Sequence, residues 1–150
     1  MMKKEQKEFD ERQQHIRENI LKHGFFIAIG ALLLNAFLNS IGIIWADPFQ
    51  QNILTVVFII TIISIEFHFN DVYFGKDIPR IPMLFAINTC AIILAIFSIK
   101  HFIEGATFIT SGMLTDQGAS VIYCVMFLLN GSCGIIRYLY NRQIDKKENK

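Results

Sequence analysis

Residues 24–46 run for 23 positions without a charged side chain, and residues 48–65, 81–99 and 117–136 do the same for 18 to 20 positions each. A helix rises about 1.5 Å per residue and a bilayer core is about 30 Å thick, so about 20 apolar residues make one crossing. Backbone polar groups in lipid must be satisfied within the segment, which a helix does. Four such runs predict an all-α integral membrane protein, a bundle of four transmembrane helices spanning about residues 24–46, 50–69, 81–100 and 118–140. With 53% hydrophobic and 18% charged residues in 150, no separate soluble domain fits beside them.

The basic residues set the expected orientation. Six lie before the first run, Lys76 and Arg80 lie between the second and third, five lie from Arg137 onward, and only Lys100 falls elsewhere. The positive-inside bias then places both termini and the middle connection in the cytoplasm, with the protein in the cell (inner) membrane. Residues 3–22 hold six basic and five acidic side chains, the pattern of a solvated, salt-bridged helix, and a nucleic-acid partner is not expected. The mixed-charge lead and the long apolar run after it differ from a cleavable secretory signal.

Residues 1–23 are expected to form an amphipathic juxtamembrane helix, with Phe9, Gln13, Ile16 and Ile20 along one thin edge and a capping box from Asp10 to Gln13. Trp45 and Asp47-Pro48 read as an interfacial anchor and turn, which makes the first two spans a tight antiparallel hairpin. Residues 70–80 read as the internal loop and Pro82 as a first-turn proline of span three. Residues 104–116 are too polar to span and too apolar for an ordinary loop, and are read as an amphipathic cap. Residues 141–150 are read as a basic cytoplasmic tail.

Two sets of polar residues stand out. Glu66 is the one carboxylate near the interior of a span, and a costly group of that kind marks a candidate proton or substrate site. Asn70, four residues on, shares its helical face, whereas His68 points elsewhere. Asn35 and Asn39 are one turn apart in span one, where amides seek a neighbouring helix. Small or polar residues recur at spacing four in Ala36/Ser40, Ala91/Ala95, Ser120/Cys124 and Asn130/Gly134, as close helix packing in a bundle or a homodimer requires.

Chemistry is sparse by comparison. Cys90, Cys124 and Cys133 lie within spans without CxxC spacing, and the four histidines fall in separate segments, so neither a metal nor another cofactor is expected. Hydrolase and nucleotide-binding motifs are missing, and the chain is not expected to be an enzyme.

Asp10-Glu11-Arg12-Gln13, followed by Ile16, Arg17 and then a hydrophobic span, resembles the amino-terminal signature of small uncharacterised four-span bacterial membrane proteins, grouped as domains of unknown function. Several members of those families are encoded next to helix-turn-helix regulators. The resemblance implies that Asp10, Arg12 and Gln13 are the positions to suspect. From physics alone, the strip Asp10, Glu11, Arg12, Gln13 and Arg17 can dock a protein partner through carboxylate and guanidinium contacts, or fold back on Asp71, Lys76, Asp77 and Arg80.

The expected function is an accessory or regulatory interaction partner of another membrane or cytosolic protein, embedded in membrane lipid. The alternatives are a small dimeric proton-coupled transporter or lipid-binding protein using Glu66, and an immunity protein that meets a membrane-active peptide through residues 105–115. Small multidrug carriers have the same span count but use a carboxylate deep in the first span.

Overall fold

The computed structural model describes residues 10–73 and 80–148; the expectations placed on Phe9, Lys76 and Asp77 lie outside them. Four helices form an all-α bundle: α1 (Glu11–Ser40), α2 (Pro48–Phe69), α3 (Arg80–Ile103) and α4 (Asp116–Glu148). Each is long and apolar enough to cross a membrane. Packing runs α1 on α2, α2 on α4 and α4 on α3, so α4 lies between its two neighbours. The start of α1, the end of α2, the start of α3 and the end of α4 share one end of the bundle, called here the terminal end; the other is the hairpin end.

There is no separate amphipathic helix. The segment from Glu11 continues into the first span as one 30-residue helix, about 45 Å long, because no proline interrupts it and Gly24, its first small residue, packs against Ile63. The capping box forms as the sequence implies: Gln13 N–H donates to Asp10 Oδ1 at 2.7 Å and Asp10 N–H to Gln13 Oε1 at 3.2 Å. Ile20 is buried against the bundle.

Helix α1 stops at Ser40 and does not continue to Ala46. Gly42 takes a left-handed φ of +81°, Gly42 N–H donates to Asn39 O, and Ile43 N–H to Leu38 O at 2.9 Å. This pair of reverse bonds is a Schellman cap, in which a glycine turns the chain out of the helix. Helix α3 ends the same way through Gly105, with Ala106 N–H donating to His101 O. Helix α2 ends in the same cap with an aspartate, Asp71, in the left-handed position. Helix α4 runs unbroken through the expected tail to Glu148.

Residues 109–114, within the segment read as a cap, form a β-hairpin: β1 (Ile109–Thr110) pairs antiparallel with β2 (Met113–Leu114). Ser111 and Gly112 both have positive φ, the geometry of a type I′ turn, whose twist matches the flanking strands. Leu114 N–H bonds Trp45 O at 2.8 Å, which ties the hairpin to the α1–α2 connection. Thr115 then caps α4, its hydroxyl accepting from Gly118 N–H.

Gly118 is where the hairpin meets α4, and a Cβ there would overlap the backbone oxygen of Phe108. Gly118→Ala is therefore expected to lift the hairpin and to destabilise the chain by about 1–3 kcal/mol, outweighing the better helix propensity of alanine. Thermal unfolding in detergent, with limited proteolysis across residues 105–115, measures this; a native melting point with unchanged protection would contradict it.

Candidate functional site

The polar side chains of the bundle collect at its two ends. At the hairpin end, Gln51 is 2% exposed. Its oxygen accepts from Asn39 Nδ2 at 3.0 Å and its amide donates to Ala46 O at 3.0 Å. Trp45 Nε1 donates to Asn35 Oδ1 at 3.0 Å. The two asparagines thus hold the α1–α2 turn: Asn39 reaches across to α2, and Asn35 anchors the indole of the connection. Gln50 joins α2 to α4 through Asp116 and Tyr123, both at 2.9 Å. These bonds close a corner.

Between the ends, Thr55 and Thr61 return their hydroxyls to their own helix. Ser98 meets Ser120 at 3.2 Å and Cys124 Sγ meets Ala91 O across the α3–α4 seam. The small residues at spacing four in α3 and α4 therefore serve contacts inside the bundle, as lipid requires of close-packed helices, whereas Ala36 and Ser40 of α1 are exposed and Ser40 bonds Phe37 O of its own helix.

The terminal end is built differently. Asp71 leaves α2 in the left-handed conformation, with φ +57°. Aspartate tolerates that region better than most side chains, at a cost that glycine avoids. Its carboxylate takes three bonds from α4: Arg137 Nε at 3.0 Å and Nη2 at 2.6 Å on one oxygen, and Asn141 Nδ2 at 2.7 Å on the other. Charge-assisted bonds of this length are the stronger kind. From α1, Arg17 Nη1 donates to Val72 O at 2.5 Å, and its guanidinium lies 5.0 Å over the ring of Phe67. One corner of chain, residues 71–72, so receives an arginine from each of two other helices.

One turn deeper, His68 is buried, its Nε2 3.2 Å from Asn130 Oδ1 and its ring stacked on Tyr73 at 4.1 Å between centroids. Gly134 makes room for it: a Cβ there would overlap Leu84 Cδ2 and lie 2.9 Å from His68 Cε1. His68 lies at the seam of α2 and α4, off the Glu66 face and buried. Spacing along one helix placed it off the Glu66 face, but its partner Asn130 lies on another helix, 62 residues on.

Glu66 lies outside this cluster. Its carboxylate sits 3.8 Å from His23 Nδ1 on α1, and both side chains are at least one-third exposed, which makes the pair a surface contact. Asn70 shares its face but bonds the Glu66 backbone oxygen at 2.8 Å, acting as a cap.

Beside the corner, Asp10, Arg12 and Gln13 of α1 face Asn70, Asp71 and Arg137 across a polar hollow of about 370 Å³. The strip selected in the sequence is thereby set against the α2–α3 corner and α4; of its members, Arg17 bonds the corner and Glu11 is exposed. Among the described residues, no group of three or more histidine, cysteine or carboxylate side chains converges to hold a metal.

Comparison with known proteins finds no matching family model, no matching curated protein and no matching solved structure. No family is identified, and what the structure supports of the resemblance is the layout of four long apolar helices.

Proposed function

We propose that this chain is a non-catalytic membrane protein whose terminal end is a preorganised docking face for another protein. One observation carries the reading: the charged first turns of α1 are a rigid continuation of a spanning helix, pinned by Arg17 to Val72 O beside the Asp71–Arg137 pair. A surface held in advance loses little side-chain freedom on binding, and alternating carboxylate and guanidinium groups favour a partner of complementary pattern. By the positive-inside bias this face lies in the cytoplasm, where a soluble regulator or the cytoplasmic loop of another membrane protein can reach it.

A carrier built on Glu66 draws less support. Its carboxylate pairs near the surface with His23, away from the buried polar residues of α2, and of these Thr55 and Thr61 spend their hydroxyls on their own helix. A hydrophilic path through lipid needs a line of free polar groups.

Affinity purification from cross-linked cells tests the docking face. Arg12→Ala, exposed, is expected to insert and fold normally, and Asp10→Ala to insert with the first turn of α1 loosened by loss of its cap; each is expected to lower recovery of a specific partner by about tenfold, the effect of losing a charged contact of about 1.4 kcal/mol. Equal recovery from both variants and the native chain would refute the proposal.

A further inference from the structure

A groove of about 420 Å³ runs along the α3–α4 seam and shares no lining residue with the hollow beside Asp10 and Arg12. Leu84, Phe85, Ile92 and Ile135 form its floor, and Tyr138 and Arg142 stand at its terminal-end rim. Asn88 and Thr89 also line it, but they donate to Leu84 O and Phe85 O of their own helix, at 2.8 Å each. Each spends a donor on its own helix, and the rest of the lining is mostly apolar.

The rim has a different character. Arg142 is exposed and has no ion-pair partner among the described residues, whereas Arg137, less than two turns earlier, is held by Asp71. An apolar slot along two membrane-spanning helices, ending beside a phenol in a guanidinium with no ion-pair partner among the described residues, complements the charge and shape of an anionic phospholipid: acyl chain below, phosphate above. Basic pockets between transmembrane helices recognise anionic headgroups in this way. The groove between α1, α2 and α4, about 320 Å³, is lined by Asn35 and Trp45 and by no charged residue.

We propose that the α3–α4 groove binds one anionic phospholipid of the leaflet on the terminal side, with its phosphate on Arg142 and one acyl chain against Leu84, Phe85 and Ile92. The site shares no residue with the docking face, so it stands or falls separately from it.

Native mass spectrometry of the detergent-purified full chain tests it, with phosphatidylglycerol and phosphatidylcholine of matched acyl chains as probes. The native chain is expected to retain phosphatidylglycerol preferentially. Arg142→Gln should lower that preference about fivefold, the fold-change equivalent to one basic residue at an anionic surface, and leave phosphatidylcholine unchanged. Ile92→Trp, which fills the slot at a residue already exposed, should weaken both lipids, and Lys146→Gln, beyond the groove, should weaken neither. An unchanged preference in Arg142→Gln, an equal loss in Lys146→Gln, or full lipid retention in Ile92→Trp would overturn the site. So would a stable dimer that excludes lipid, which would give the groove to a second copy of the chain.

Discussion

Asp71→Ala is expected to melt about 6–12 °C below the native chain in detergent, a loss of about 3 kcal/mol in a protein of this size. Two effects add. Arg137 and Asn141 lose a charged acceptor that takes three bonds from them, worth about 1.5–3 kcal/mol and discounted because both members of the ion pair are about one-third exposed. Alanine must also hold φ near +57°, which costs about 1–2 kcal/mol more than glycine there. Companion variants separate the two. Asp71→Gly relieves the backbone but not the loss of acceptor, and should fall by about 2 kcal/mol. Asp71→Asn keeps an acceptor and a side chain tolerant of the left-handed region, and should fall by about 1 kcal/mol. Thermal unfolding of the three variants should therefore rank asparagine above glycine above alanine. Equal melting points, or alanine at or above glycine, would show that the corner does not hold α2 to α4.

Gly134→Leu is expected to be more damaging, because the added side chain has nowhere to go. Its Cβ alone would overlap Leu84 and crowd His68, and the further carbons would enter the seam of α2, α3 and α4. Overpacking of this kind costs about 1–3 kcal/mol for small additions and more for a branched one. Displacing His68 would also separate it from Asn130, leaving a buried polar pair unsatisfied. The expected result is a chain that inserts but does not yield a monodisperse bundle in detergent. Gly134→Ala should retain the fold with a lower melting point, and Leu84→Ala should restore part of that loss by opening space for the new methyl. A loss in the double variant smaller than the sum of the two single losses is the signature of direct contact. Native behaviour of Gly134→Leu would mean that α3 and α4 do not approach as closely as described.

The four helices are legible in the sequence because lipid leaves few options: a long run without charge must satisfy its own backbone. Their ends are less so. Residues 41–46 are apolar and were counted with the first span, yet Gly42 ends the helix by taking a conformation that hydropathy cannot register. The same blind spot hides the role of Asp71, which in sequence is a loop aspartate and in structure occupies the cap position of a glycine. The hairpin at residues 109–114 had a local signal in Ser111-Gly112, since two positive φ values in a two-residue turn favour such pairs; its apolar neighbours suggested a cap instead.

Functional residues divide along the same line. The Asp10–Gln13 capping box is a local pattern, and the structure contains it. Spacing along α2 cannot single out His68, because its contacts are Asn130, Gly134 and Tyr73 from elsewhere in the chain. Glu66 drew attention as a charge in an apolar run, but what decides its environment is His23 on another helix and the exposure of both. A pairing between helices depends on rotation and register, and a single sequence carries little information on either.

The docking face is tested most directly by photo-cross-linking in intact membranes, with a photoreactive residue placed at Arg12 and, separately, at Leu33, an exposed apolar position in the spanning part of α1. The account predicts one discrete adduct with another protein from position 12, diminished when Asp10 is also replaced by alanine, and no protein adduct from position 33. No adduct from position 12, or adducts only between copies of this chain, would contradict it.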